Sequence, residues 1–589
     1  MSEPASLTPA REREYEAPRF GLALNMLVAS VIGAMLLVVA RVAQLQIAPS
    51  DNLIRHAPLT SSTRPEIANR GDLLDRRGRV LATSRVGYRL FVDPQEVDDA
   101  YTIAIDLAHL LGRNPVELDR KVQERLDKRY AVLIDLLTDV ELEAVRTANL
   151  SGVGVEPILV RHRPYGNLAA PIVGLVGTDH IGRSGVEAMF NGVLTGEPGQ
   201  LRYLRDVNRN AMWVERDGHV PGVDGANVRL TIDVEMQRIV EEEIAAAVES
   251  VNAAGGRAMI FDPHSGEILA MTDVLRNRPG YGPFTDDPLR AIDPSLGRMR
   301  CVTDPYEPGS TFKSFVWARV TELGLAQLDE VFNAYNGSYR TPRGRHISDA
   351  YPYPELTWEG VMIKSSNIGM AQASQRLTDG QLQQCVADFG FGRPTGSGLP
   401  AETAGIVTKP KEWTHYTQTS VSMGHEIAVT PLQMVRAFSA FCRDGSMPPV
   451  NLVVPTQDVP ILPYVTQRPM LESTAHLTRQ TMRKVMTHGS GRKANEVARY
   501  RMFGKSGTAE MPKKGGGGYH KDRYVISFIA GAPLDDPRLV VLCVIEDPDK
   551  SLGHFGGAVC GPLAARVMNR ALEYLGVPGD LALDQSAQN

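Results

Sequence analysis

The chain opens on a polar, charged stretch, residues 1–19, broken by Pro4, Pro9 and Pro18, and then runs from 20 to 40 with no charge and only Asn25 and Ser30 polar. About 20 such residues cross roughly 30 Å of hydrocarbon as a helix, so 20–40 reads as a membrane anchor. The apolar run passes into Arg41-Val42-Ala43-Gln44-Leu45-Gln46 without a small-residue cleavage pattern, which argues for an uncleaved anchor rather than a signal peptide. A core helix of a soluble protein is the plainer alternative, but such a helix usually keeps a polar stripe. Arginines flank the span on both sides (Arg11, Arg13, Arg19; Arg41, Arg55, Arg64), so charge does not set its orientation. No second apolar run of comparable length follows, which leaves the rest of the chain on one side of the membrane.

Beyond the anchor the pattern shortens. Residues 70–82 read as two short strands about an Arg-Gly turn, and 101–111, 115–126 and 138–148 show helical spacing. A glycine-punctuated stretch follows through Gly199. Residues 208–225, rich in Gly, Asn, Asp and Pro, predict a domain boundary. After it come a strand at 228–232, a helix at 234–251, and a hairpin of 257–262 and 267–271 across Pro263-His264-Ser265-Gly266. Central helices give way to strands at 524–530 and 539–545 and a last helix at 562–575. Strands at both ends with helices between predict an α+β domain, built on an antiparallel sheet whose members are distant in sequence. The expected division is a short tail (1–19), an anchor (20–40), a non-catalytic domain (41–225), a catalytic domain (226–577) and a loose end (578–589).

The length of 589 residues, 43% of them hydrophobic, suits more than one packed core. A net charge of −5 gives no reason to expect nucleic acid. Five widely spaced cysteines without a Cys-x-x-Cys pair suggest neither a disulfide framework nor a zinc site. The scattered histidines His180, His264, His425 and His554 lack ligand spacing, so no metal is expected.

Chemistry concentrates at Glu307-Pro308-Gly309-Ser310-Thr311-Phe312-Lys313. A helix is expected to begin near Ser310, and residues three apart on a helix share a face, which sets the Ser310 hydroxyl beside the Lys313 amine. An amine held deprotonated can take the serine's proton and make it a nucleophile. Taken alone the pair is weak, because serine at a helix start is usually only a cap. Ser490-Gly491-Arg492-Lys493 repeats the spacing, but glycines flank its serine and it reads as a loop. The companions Ser365-Ser366-Asn367 and Lys505-Ser506-Gly507-Thr508 decide for Ser310, since Ser-x-x-Lys, Ser-x-Asn and Lys-Ser/Thr-Gly in this order form one known signature. Gly515-Gly516-Gly517-Gly518 lacks the Gly-Lys-Ser/Thr ending of a phosphate loop and reads as a flexible loop beside the Lys505 strand.

With these motifs the chain resembles the class B penicillin-binding proteins, the monofunctional peptidoglycan D,D-transpeptidases. The likeness extends over nearly the whole length: Arg70-Gly71 with Asp75-Arg76 and Gly78, Gly185-Val186-Glu187, Leu230-Thr231-Ile232-Asp233 with Gln237, Thr430-Pro431-Leu432-Gln433, and Ser527-Phe528-Ile529-Ala530-Gly531. Ser365-Ser366-Asn367-Ile368-Gly369 is closest to the septal, cell-division branch. Two places depart from the family's usual pattern, Met299-Arg300 and Ser422-Met423-Gly424, and neither touches the trio.

The resemblance implies a single transmembrane helix, an elongated dimerisation-type pedestal and a penicilloyl-serine transferase domain held outside the cytoplasm, with no cofactor. It implies that Ser310 attacks a stem peptide ending in D-Ala-D-Ala and expels the last residue, and that a neighbouring stem's amine resolves the acyl-enzyme. Lys313 is then the base, Ser365 a proton relay and Asn367 a holder of the substrate amide. Lys505, Ser506 and Thr508 face a terminal carboxylate, Gly507 admits close approach, and the N–H groups of Ser310 and Thr508 form the oxyanion hole. β-Lactams are expected ligands, and a glycan polymerase of the SEDS type with other division proteins the expected partners. A serine β-lactamase shares the trio but not the anchor or the length. A β-lactam sensor or a non-catalytic scaffold of the same fold remains the alternative.

Overall fold

A computed structural model describes residues 18–48, 61–97, 99–205, 211–278, 284–414, 416–460, 464–513 and 518–581. Most of the two expected tails and Gly515-Gly516-Gly517 lie outside the described residues. The chain divides into two compact units, Met1–Glu66 with Gly199–Pro221, and Ile67–Pro198 with Gly222–Asn589.

The first unit contains the helix Pro18–Ile47. Its 30 residues extend about 45 Å at 1.5 Å per residue, longer than the hydrocarbon layer. Side chains such as Leu24, Val31, Leu36 and Leu37 are exposed all round it, which suits a lipid solvent rather than a protein core. The region expected as a linker, 208–225, instead carries the strand Ala211–Val220, paired with Gly199–Arg205, which also pairs Ser61–Glu66. The ladder jumps from Leu201↔His219 to Tyr203↔Val214, so two of the turn-forming residues, Asp217 and Gly218, are taken up in a bulge, with Asp217 left-handed (φ 64°).

In the second unit, Val80–Val92 pairs antiparallel with Val153–His162 and with Ala131–Ile134, and Leu73–Leu74 runs parallel to Val228–Arg229. The expected helices appear as Ala100–Leu111, Pro115–Gln123 and Asp139–Ala148, burying Leu107, Leu118, Val122 and Val145 against Leu90, Val92 and Leu133. Local chemistry sets their ends: Asp99 caps the first, Gly112 stops it in the left-handed region, and Thr138 with Glu141 forms a capping box on the third.

The sheet that carries the trio has five antiparallel strands in the order Ile268–Leu275, Gly255–Phe261, Leu539–Glu546, Tyr519–Ala532, Phe503–Pro512. Strands from both ends of the domain sit side by side, as the pattern predicts. Alternate side chains serve two cores. Met259, Phe261, Val540, Leu542 and Val544 face a helical core with Phe312, Phe315, Trp317, Phe438 and Phe441, while Ala258, Ile260, Val541, Cys543 and Ile545 face Val234–Ser250 and Gly556–Tyr574. The last helix begins six residues before the expected 562 and keeps Pro562 inside, because glycines 556, 557 and 561 pack closely on the sheet and the Ser490 turn there.

Candidate active site

Ser310 lies in a 3-10 turn, Gly309–Thr311, that leads into the helix Lys313–Glu322. Phe312 and Phe315 anchor this helix in the core, and Trp317 stacks on Trp358 (5.7 Å between rings) while its indole N–H donates to the Trp358 carbonyl (3.1 Å). That clamp fixes the nucleophile helix to Trp358–Lys364, the helix that ends at Ser365.

Ser365-Ser366-Asn367 is a helix junction. Ser365 closes one helix in the left-handed conformation (φ 59°, ψ 38°), a strained choice for a residue with a side chain. Ser366 caps the next helix, Asn367–Ser374, accepting the Gly369 N–H at 2.9 Å. The kink aims one residue at two lysines: Lys313 Nζ donates to the Ser365 carbonyl (2.7 Å), and Lys505 Nζ donates to the Ser365 hydroxyl (2.7 Å). Lys313 also donates to Asn367 Oδ1 (2.6 Å), and Lys505 to the Ser506 carbonyl (3.1 Å).

Both ammonium groups are fully buried. Burial pushes Lys313 down to about 7, against a smaller opposing pull from Asp349. Lys505 is lowered as well, first by burial and then by the charge of Lys313. The repulsion between the two ammonium groups is thus felt at Lys505.

Lys505 to Thr508 lie on the edge strand Phe503–Pro512, against the nucleophile turn. A Cβ on Gly507 would stand 2.4 Å from Ser527 Oγ, 2.8 Å from the Pro308 carbonyl oxygen and 3.0 Å from Thr311 Cγ2, so glycine is what lets strand and turn meet. Gly309, left-handed at φ 54°, would bring a Cβ to 3.3 Å from the Thr508 carbonyl oxygen. The Thr508 hydroxyl accepts the Gly556 N–H (3.1 Å) and keeps its own proton to donate. Ser310 is partly exposed, and its hydroxyl has no hydrogen-bond partner among the described residues.

Two residues of the site were not anticipated from sequence. Ser490, read there as a loop serine, meets Ser506 hydroxyl to hydroxyl at 2.7 Å, so its turn belongs to the site. Asp349 accepts from Ser366 Oγ (2.6 Å) and from the N–H groups of Asn367 (2.5 Å) and Ile368 (3.1 Å), fixing the junction. Asn367 is itself held at both ends, since its Nδ2 donates to the Ser348 carbonyl (2.8 Å). A cavity of about 1710 Å³ adjoins the site, lined by Tyr306 and Glu307 just before the turn and by residues 509–513 just after Thr508. No group of three or more metal-ligating side chains occurs among the described residues.

Comparison with known proteins identifies the family. Residues 256–569 match a family model described as the penicillin binding protein transpeptidase domain, and 65–230 match the penicillin-binding protein dimerisation domain. The chain is 32% identical to a "Probable peptidoglycan D,D-transpeptidase PenA" of Neisseria meningitidis over 87% of its own length and 85% of that protein's. It is 28% identical to the "Peptidoglycan D,D-transpeptidase FtsI" of Escherichia coli over 98% and 96% of the two. Among solved structures, penicillin binding protein 3 of Mycobacterium tuberculosis in complex with aztreonam superposes with a TM-score of 0.65 at 26% identity, over 89% of this chain and 99% of that one. A peptidoglycan synthetase of Bifidobacterium adolescentis does so with a TM-score of 0.66 at 26% identity, over 88% and 98%.

Proposed function

This chain belongs to the class B penicillin-binding proteins and is a serine-type peptidoglycan D,D-transpeptidase, and on that premise we propose the part each site residue plays and where the enzyme works. The family binds stem peptides and β-lactams. Here the donor stem's terminal carboxylate, or that of a β-lactam, lies against Lys505, Ser506, Thr508 and Ser490. The charge it brings favours the protonated form of Lys505, and a protonated Lys505 in turn favours the neutral form of Lys313.

Lys313 takes the Ser310 proton as the hydroxyl attacks the penultimate carbonyl. Falling from 10.5 to about 7 corresponds to roughly 5 kcal/mol of preference for the neutral amine, enough for the base to be available at neutral pH. The backbone N–H groups of Ser310 and Thr508 receive the oxyanion, each worth about 3 kcal/mol. Ser365, which touches both lysines, passes a proton to the departing D-Ala, and Asn367 keeps Lys313 aimed while its remaining amide hydrogen faces the substrate. Gly507 gives the donor its close approach to the strand. An amine from a second stem then displaces Ser310 and forms the crosslink.

The observation that carries this reading is the buried Lys313, held by Ser365 and Asn367 one turn from a serine with no partner of its own. The long apolar helix supports a reading in which the enzyme is anchored in a bacterial cytoplasmic membrane with its catalytic domain outside. Ser365-Ser366-Asn367-Ile368-Gly369 favours septal wall synthesis, alongside a SEDS-type glycan polymerase. In this reading the pedestal spans 41–225 and the catalytic domain 226–577.

Covalent labelling with fluorescent penicillin tests the core of the proposal, comparing wild type, Ser310→Ala and, as a control away from the site, Ser250→Ala. Label should vanish only with Ser310→Ala. A folded wild type that takes no label would overturn it.

A further inference from the structure

Crosslinking needs a group that the trio does not supply. The acceptor amine arrives as an ammonium at neutral pH and must lose a proton before its nitrogen can attack. Beside the nucleophile turn stands a second polar cluster: Glu307, His425 and Tyr519. Glu307 Oε1 accepts from the Tyr519 hydroxyl (2.9 Å) and from the Glu426 N–H (3.1 Å), and its Oε2 lies 2.9 Å from His425 Nδ1.

A carboxylate accepts only, so Nδ1 must be the protonated ring nitrogen. The neutral imidazole then presents its lone pair at Nε2. Nε2 has no partner among the described residues, and the side chain is 29% exposed. Tyr519 packs edge-on against the ring (5.7 Å between centroids, 73°). Its phenol is held above its usual range by burial and by the charge of Glu307, and so stays a donor.

The cluster is tied to the nucleophile by backbone. The Gly309 N–H donates to the Gly424 carbonyl (3.1 Å), and a Cβ on Gly424 would stand 2.1 Å from the Gly309 carbonyl oxygen. His425 therefore follows directly on the residue that touches the Ser310 turn. Its partner Glu307 and its neighbour Glu426 line the cavity beside the site, a space that no member of the trio occupies.

We propose that His425 is the base of the second half-reaction, taking a proton from the acceptor's ammonium at Nε2, with Glu307 and Tyr519 as positioning residues. This rests on the transpeptidase reading above. The ammonium gives one proton to His425, and the freed amine attacks the acyl-enzyme carbonyl. The new C–N bond forms as the C–Oγ bond to Ser310 breaks, and the second amine proton returns to Ser310 Oγ through Lys313 and Ser365. The arrangement repeats the logic of a histidine oriented by a carboxylate, on the acceptor side of the nucleophile.

The test uses the full chain in detergent with a thioester analogue of the donor stem. A stem tetrapeptide with a free side-chain amine serves as acceptor, in lysine and diaminopimelate forms, and mass spectrometry reads the ratio of crosslinked to hydrolysed product. His425→Gln should lower that ratio about 100-fold, while penicillin labelling of Ser310 falls by less than about threefold. Imidazole added to His425→Ala should restore part of the ratio, which a purely structural histidine would not allow. Glu307→Gln should lower the crosslinking kcat about tenfold with a smaller change in acceptor KM. A ratio within about twofold of wild type in a His425→Gln protein that still labels would overturn the proposal, as would loss of labelling together with crosslinking. Failure of the wild type itself to label would instead overturn the reading on which it rests.

Discussion

Two buried lysines share one serine, and the asymmetry of what each touches separates their roles. Lys313 binds a backbone carbonyl and an amide oxygen at Ser365 and Asn367, whereas Lys505 binds the Ser365 hydroxyl, a group that can itself pass a proton. With Lys313 at about 7, its amine is protonated and idle below that pH and free to accept above it. The rate constant for acylation by penicillin should therefore climb as pH rises through about 7 and then level. Lys313→Ala should flatten that limb and slow acylation about 100-fold or more. A limb unchanged in Lys313→Ala would remove Lys313 as the base. Ser490 makes a different case at the same scale. Its hydroxyl meets Ser506 on the carboxylate side, so Ser490→Ala should weaken saturation by penicillin about fivefold, the equivalent of one hydrogen bond of about 1 kcal/mol. The loss should lie mainly in the concentration dependence of labelling. Flanking glycines made this serine read as loop, which is what it is; only the fold shows that the loop ends against the strand.

Elements bring the trio together through contacts that tolerate little added volume. The edge strand reaches the nucleophile turn because position 507 has no side chain: a methyl there would face Ser527, the Pro308 carbonyl and Thr311, all within 3.0 Å. Gly507→Ala should part strand from turn and abolish labelling of Ser310 in a protein whose circular dichroism is unchanged. Labelling at the wild-type rate would show that the turn can yield. Much of this level was legible in advance. The helices 101–111 and 138–148 announced themselves through spacing, and the central strands through their apolar runs. Val153–His162 was not, because Pro157 and mixed polarity hide a strand whose partner, Val80–Val92, lies some seventy residues earlier. Asp349 was equally hidden. It follows a two-stranded hairpin of Ser338–Arg340 and His346–Ser348, and nothing in its spacing shows that it will cap Asn367–Ser374. Spacing reports partners within a helix turn; partners across a fold leave no such trace.

At the scale of the whole molecule, the chain passes between its two compact units after Glu66, Pro198 and Pro221, and the second unit gathers all three passages in one small region. Asn69 donates through its backbone N–H to Asp224 (2.7 Å), Gly71 donates to the Leu194 carbonyl (2.8 Å), and Glu197 pairs with Val223. Arg70 is the hub. Its guanidinium binds Glu187 (2.7 Å), Asn191 (2.9 Å) and Thr195 (2.9 Å), while Arg161 binds the other Glu187 oxygen (2.7 Å). Arg70 and Glu187 are almost wholly buried, and the Glu187 carboxylate is the ion-pair partner shared by both guanidiniums. Replacing it leaves those charges unpaired out of water, which costs far more than the intact pair contributes. Glu187→Ala should therefore destabilise the second unit by about 3–5 kcal/mol in denaturant unfolding, with new protease cleavage near residues 66, 198 and 221. Because Glu187 makes no contact with the trio, molecules that remain folded should still be labelled at Ser310. Unchanged stability would mean that the two arginines find other partners. Loss of labelling in folded molecules would mean that the Arg70–Glu187–Arg161 cluster controls the geometry of a site it does not touch.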